Sequence, residues 1–193
     1  MLSYKESLKI LKEANALIEG HFILSSGLHS PQYVQCAQLM SKPDKAAKIC
    51  DSLSKKIKNE FENFDLILSP AIGGILVGYE IGKLLNKETL FSERVNGKFE
   101  LRRDFSISKN QKVLIIEDVI TTGKSSLECS KLVIEKGAKI VGYACIINRS
   151  NGKTSIKEKI VSQVELNIPT YTEKNLPDNL LAIEPVKPGS RNL

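Results

Sequence analysis

The sequence predicts an α/β fold, a mostly parallel twisted sheet covered by helices on both faces. Two observations carry this. Between residues 65 and 148, short apolar runs of strand length alternate with segments of helical periodicity. The runs at 113–116 and 140–147 are apolar almost throughout, which suits strands buried on both faces.

Taken in order, residues 3–19 read as a helix. Tyr4, Leu8, Leu11, Ala14 and Ile18 fall on one side at helical spacing, and Gly20 is placed to end it. Residues 20–42 read as loop-rich with short extended pieces. A second helix is expected from Pro43, with Ser41 as its cap and Asp44 in its first turn. Ala46, Ile49, Cys50, Leu53, Ile57, Phe61 and Phe64 form its apolar stripe, with lysines on the other face.

The alternating part follows. Strands are expected at 65–69, 89–94, 112–117 and 139–148, and helices from about 74 to 86 and at 124–136. Turns at 70–74, 118–125 and 149–152 leave the carboxyl ends of three strands. In such sheets ligands bind at those ends, so the three turns are expected to share one crevice. Residues 89–105 read as two strands around Asn96-Gly97, a two-residue hairpin signal. Register across that turn sets Glu93 opposite Glu100, a like-charge pair that weakens a ladder. Arg94, Lys98, Arg102 and Arg103 make the hairpin basic, and a mobile arm is expected over about 92–105. From Ile156 onward periodicity fades and prolines accumulate at 169, 177, 185 and 188. Irregular structure lying across the N-terminal segment is expected there. The chain thus divides into an N-terminal helix and loop-rich segment (1–42), an α/β core (43–155) and a C-terminal segment lying across the first (156–193).

A chain of 193 residues fits one domain or one domain with a small appendage. With 41% hydrophobic residues a core can form, so disorder is not expected. No apolar stretch approaches the roughly 20 residues of a spanning helix, and the N-terminus has no signal-peptide core. No membrane association is expected, and the cytoplasm is the default compartment. The four cysteines form no CxxC pair and only two histidines accompany them, which argues against zinc. The net charge of +6 fits either nucleic acid or polyanionic small molecules. The lysines are dispersed without a dense basic run, so nucleic acid is not the expected partner.

The stretch from Val113 to Ser125 carries the most chemistry. A buried strand ends in Glu117 and Asp118; Val119, Ile120, Thr121, Thr122 and Gly123 follow, and a helix opens at Lys124 or Ser125. A helix start offers free N–H groups and a positive dipole end, both suited to phosphate. Gly123 permits close backbone approach, and Thr121, Thr122 and Ser125 add hydroxyl donors. Ionised Glu117 and Asp118 only accept hydrogen bonds, so they suit sugar hydroxyls. Acids beside a phosphate cradle imply a sugar phosphate. The blander reading is a strand ending in solvated acids before a capped helix. Gly-Lys-Ser is no Walker loop, because the glycine required five positions earlier is Asp118.

This stretch closely resembles the phosphoribosyl pyrophosphate signature of the type I phosphoribosyltransferases. The resemblance implies that Glu117 and Asp118 hold the ribose hydroxyls and that residues 121–125 wrap the 5-phosphate. Other segments look like the orotate-using members of that family. They are 20–35 as a lid, Ser-Pro-Ala-Ile-Gly-Gly at 69–74 as a pyrophosphate loop, 148–152 around Arg149, and the ending at 169–171 and 186–191. The implied fold is the type I phosphoribosyltransferase fold with a small N-terminal lid and a flexible β-hairpin. The implied substrates are phosphoribosyl pyrophosphate and orotate. Mg2+ is expected to travel on the pyrophosphate and ribose oxygens and on water, without direct protein ligands.

Within the implied site, Arg149 can fork onto a carboxylate or carbonyl. Tyr33 can stack on a pyrimidine, with Ser26 and its neighbours near the ring's polar edge. Thr121 is placed next to the base as well as the phosphate. Gly73 and Gly74 permit a strained turn whose N–H groups face an anion, with a non-proline cis bond expected just before them. Arg94 and Lys98 match the basic positions of a loop that closes over the partner subunit's site in a homodimer, and Lys98 is the implied catalytic lysine. Two lysines of better-known members are replaced, one by Ser25 and one within Ile72-Gly73-Gly74. Two rivals stand beside this reading: a purine phosphoribosyltransferase, and a non-catalytic nucleic-acid-binding regulator on the same fold.

Overall fold

The computed structural model describes residues 1–188; part of the 186–191 segment therefore lies outside the described residues. Six strands form one sheet in the order β5-β4-β3-β6-β7-β8, and β1 and β2 form a separate antiparallel pair. The sheet strands are β3 (Leu66–Pro70), β4 (Glu88–Val95), β5 (Lys98–Glu100), β6 (Lys112–Ile120), β7 (Lys139–Asn148) and β8 (Ile160–Glu165). All neighbours pair in parallel except β4 with β5.

Alternation along β3 and β6 sends side chains to two cores. Ile67, Leu114 and Ile116 meet α3 (Pro43–Glu60) and α4 (Gly73–Leu85). Leu66, Leu68, Val113 and Ile115 meet Cys129 and Val133 of α5 (Lys124–Glu135). The expected helix-covered, mostly parallel sheet is present, and each face of it is sealed by side chains of opposite parity.

The N-terminal helix is shorter than the stripe suggested. Helix α1 spans Tyr4–Glu13, and Ser3 and Glu6 form a capping box at its start. Asn15 turns left-handed (φ 57°). The Asn15 amide then bonds the Lys12 carbonyl, and the Ala16 amide bonds that of Leu11. This is a Schellman ending built on asparagine, so Gly20 never acts as a terminator. Ile18 leaves the stripe and sits instead in β1 (Leu17–Ile23). The 20–42 region is also more regular than expected. β1 pairs with β2 (His29–Val34), and α2 (Cys36–Met40) follows. Ser41 does not cap α3; its hydroxyl donates to the Gln38 carbonyl at the end of α2, and Lys42 takes the cap position without a side-chain bond. Phe61 and Phe64 lie past the helix end yet are buried.

The tail holds the largest correction. Ile160–Glu165 is not irregular; it is the sixth strand, parallel to β7. Its six residues are too few to show a period beside the polar Ser162 and Gln163, although Gln163 is buried. Beyond it, Tyr171 pairs with His29 on one edge of the β1–β2 pair, and Val186 pairs with Phe22 on the other. Among the described residues, no helix is long and apolar enough to cross a membrane.

Candidate active site

Strand β6 is longer than its apolar run, continuing through Glu117 and Asp118 to Ile120. The acids are therefore fixed by sheet pairing, with Glu117 opposite Cys145 and Ile120 opposite Asn148. Both are partly buried. Burial pushes Glu117 up to about 7, opposed by a hydrogen bond from the Ser126 hydroxyl (2.7 Å) and reinforced by the charge of Asp118. Burial likewise raises Asp118, opposed by the Val119 amide, which donates to Oδ1 at 2.8 Å.

The three turns do meet. The Gly73 Cα packs so closely on Asp118 that a Cβ there would lie 2.7 Å from Oδ2. At Gly74 an added Cβ would meet the Ile116 carbonyl at 3.0 Å. The two glycines are thus required by the approach of the start of α4 to the end of β6. The Ala71–Ile72 bond just before them is cis, as the resemblance implied. On the other side, the Arg149 amide donates to the Ile120 carbonyl (2.8 Å). The Thr154 hydroxyl donates to the Thr122 carbonyl (3.1 Å), tying the 149–154 turn to the phosphate-type loop.

That loop is open at its tip. Thr121, Thr122 and Lys124 are exposed, and Ser125 is half-buried. Gly123 caps α5 at φ 76°, a left-handed conformation that disfavours side chains. The first-turn amides of α5, without intrahelical acceptors, form the anion-attracting end. Arg149 follows the end of β7, beside this loop through its amide bond to Ile120. Burial lowers its proton affinity, and its Nε is buried without a partner among the described residues. A shielded guanidinium with an unused donor calls for an acceptor from a ligand.

The remaining predicted residues have contacts of their own. Tyr33 is half-buried in β2 and packs on Phe22 (ring centroids 5.6 Å). Ser26 is exposed at the β1–β2 turn, where its hydroxyl accepts from the Leu28 amide. Lys98 is exposed on β5, opposite Val95. Arg94 donates to the Gly97 carbonyl (2.6 Å), pairs with Glu128 of α5, and covers the Phe99 ring at 4.2 Å. Glu93 and Glu100 do face each other, but Arg103 and Arg102 bracket Glu93, Arg103 at 2.8 Å. A cavity of about 580 Å3 lies between α1, α3 and β8, lined by none of the crevice residues. Its wall is an edge strand whose Ser162 and Gln163 carbonyls already accept from Lys56.

One site residue was missed in the sequence. Ser126, fully buried, supplies the hydroxyl bonded to Glu117. The signal available was the second serine of Lys-Ser-Ser, which falls on the inner side of the first helical turn.

Comparison with known proteins agrees with this geometry. Residues 38–174 match the phosphoribosyl transferase domain family. An orotate phosphoribosyltransferase of Parvibaculum lavamentivorans is 43% identical over 189 residues, covering 96% of this chain and 97% of that one. The crystal structure of the orotate phosphoribosyltransferase of Aeropyrum pernix superposes with a TM-score of 0.71 at 21% identity, covering 82% of this chain and 92% of that one. An adenine phosphoribosyltransferase from Thermoanaerobacter pseudethanolicus shares the fold at a TM-score of 0.61 and 17% identity, over 70% and 88% of the two chains. The fold is therefore common to enzymes of different bases, whereas similarity along nearly the whole sequence is with the orotate enzymes. With its acids, glycines and helix start in one crevice, the chain belongs to the phosphoribosyltransferase family, in the orotate phosphoribosyltransferase branch.

Proposed function

We propose that this chain transfers ribose 5-phosphate from phosphoribosyl pyrophosphate to orotate, giving orotidine 5'-phosphate and pyrophosphate for UMP synthesis. The observation that carries the reading is the pairing of opposites in one crevice. Two partly buried carboxylates lie near the end of β6, a helix start follows six residues later, and Arg149, just past β7, keeps its Nε buried without a partner among the described residues.

In this reading the 5-phosphate sits on the α5 amides and the hydroxyls of Thr121, Thr122 and Ser125. The ribose diol donates to Glu117 and Asp118. The bond from ribose C1 to pyrophosphate then breaks with positive charge developing on the sugar, which the adjacent carboxylates favour. The orotate ring nitrogen forms the new bond from the opposite face. Arg149 takes the carboxylate or a carbonyl of orotate through its unused donor. Holding both reactants in place supplies most of the acceleration.

Mg2+ would come with the substrate rather than on protein ligands. A hard ion that keeps its hydration suits an oxygen-lined acidic crevice, and it would supply positive charge against the departing pyrophosphate. Arg94 and Lys98 are positioned for the same task only if the hairpin leaves α5. Arg94 exchanging Glu128 for pyrophosphate is the motion required.

The hairpin's destination is a second copy of the chain. Ile72, just before α4, and Leu76 and Tyr79 along one side of it are 87%, 56% and 65% exposed. Their spacing makes one apolar stripe beside the crevice, suited to a twofold contact with its own copy. Four buried free cysteines fit a reducing cytoplasm.

Incubation of the protein with phosphoribosyl pyrophosphate, Mg2+ and one of orotate, adenine, hypoxanthine or uracil tests the assignment. Pyrophosphate release with orotate alone is expected. Release with a purine and not with orotate would move the chain to the purine enzymes. Salt-sensitive nucleic-acid binding with no release would support a regulator instead.

A further inference from the structure

We infer that Ser126 is a positioning residue for the transfer reaction, holding the Glu117 carboxylate in the orientation that receives the ribose diol. This rests on the proposal that Glu117 binds ribose.

The direction of each hydrogen bond around Ser126 follows from the donors present. The Ser130 hydroxyl donates to the Ser126 carbonyl at 2.9 Å. A hydroxyl has one proton, so the Tyr143 hydroxyl, which also meets Ser130, must be the donor in that contact. Tyr143 of β7 thereby fixes Ser130, and Ser130 fixes the backbone of the first turn of α5. The Ser126 hydroxyl is left with its own proton, which goes to Glu117 Oε2 at 2.7 Å. Ser126 and Tyr143 are fully buried and Ser130 nearly so, so water does not compete along this line.

The consequence for Glu117 is specific. One carboxylate oxygen is occupied from the helix side, which leaves the other for a ligand. The same bond opposes the effect of burial and favours the ionised form that accepts from a diol. The ionisable groups facing Glu117 are Asp118 beside it on β6, Cys129 on α5 and Cys145 on β7. All are acidic, so none of these supplies a compensating positive charge. Ser126 is the neighbour that donates.

The test compares Ser126→Ala and Tyr143→Phe with the wild type by steady-state kinetics, varying phosphoribosyl pyrophosphate and orotate separately. Ser126→Ala should raise KM for phosphoribosyl pyrophosphate roughly tenfold or more, since a bond to a charged group is lost. It should leave KM for orotate nearly unchanged, and move the acid limb of kcat/KM to higher pH. Tyr143→Phe loosens the same buried line without touching Glu117. It should lower Tm, raise the phosphoribosyl pyrophosphate KM less than Ser126→Ala does, and leave the acid limb where it was. Ser126→Cys, similar in volume with a weak donor, should fall between Ser126→Ala and the wild type. An unaltered KM in a folded Ser126→Ala, or equal kinetic changes in Ser126→Ala and Tyr143→Phe, would overturn the inference. A wild type without orotate-dependent pyrophosphate release would instead reject the parent reading.

Discussion

In its proposed role Glu117 meets two demands that conflict. Burial pushes it up to about 7, whereas a diol acceptor must be ionised. The pH dependence follows. The efficiency kcat/KM for phosphoribosyl pyrophosphate should fall as pH drops through about 7, read from the acid limb of its profile. Stability runs the other way. A folded-state value above the ordinary 4.5 means that the contribution of protonated Glu117 is complete below 4.5 and is lost as pH rises through about 7. Glu117→Gln should therefore lose turnover yet unfold at a higher temperature than the wild type above pH 7, and an unchanged Tm there would contradict the burial argument. Gly73 makes a second residue-scale prediction. A methyl at Gly73 would press on the Asp118 carboxyl at 2.7–2.9 Å, so Gly73→Ala should cut turnover sharply while the chain still folds. The acids and glycines were legible because their chemistry is local. The sequence could not reveal that Gly73 is needed by Asp118, since 45 residues of chain separate them and only the sheet brings them together.

Among elements, those with a strong local signal formed where their residues indicated. The Asn96-Gly97 turn has both residues at positive φ (47° and 83°), and the strand at Lys139–Asn148 has the expected bounds. Elements were misjudged where a weak local signal yielded to tertiary pairing. Asn15 ends α1 without glycine, and β8 exists because the exposed edge of β7 accepts it. The lid shows the same dependence. His21 and His29 are buried and bonded ring to ring at 2.6 Å, and His21 Nδ1 meets the Ile183 carbonyl at 2.9 Å. A carbonyl only accepts, so His21 Nδ1 carries a proton, and in a neutral pair His29 Nδ1 donates to His21 Nε2. The pair thus fastens both lid strands to the tail. His29→Ala should destabilise the fold by about 1–3 kcal/mol through the unpaired ring nitrogen left behind, measured by chemical denaturation. No loss of stability would mean the pair is incidental.

The whole molecule sets the crevice beside an apolar stripe along α4 and a basic hairpin latched on α5. In a homodimer whose hairpins cross, each site draws Lys98 from one subunit and Asp118 from the other. Mixing inactive Lys98→Ala and Asp118→Asn subunits should then restore roughly a quarter of wild-type turnover through one intact site in half of the molecules, a statistical expectation for twofold pairs. Restoration absent from an exchanged mixture would place each hairpin over its own site. The proposed chemistry still rests on the crevice at the end of β6. Its most direct test is a crystal structure with phosphoribosyl pyrophosphate and Mg2+. The account predicts the ribose diol within hydrogen-bond reach of Glu117 and Asp118 and the 5-phosphate on the amides of the Thr122–Ser126 turn. A sugar bound elsewhere, or those two carboxylates turned away from its hydroxyls, would contradict it.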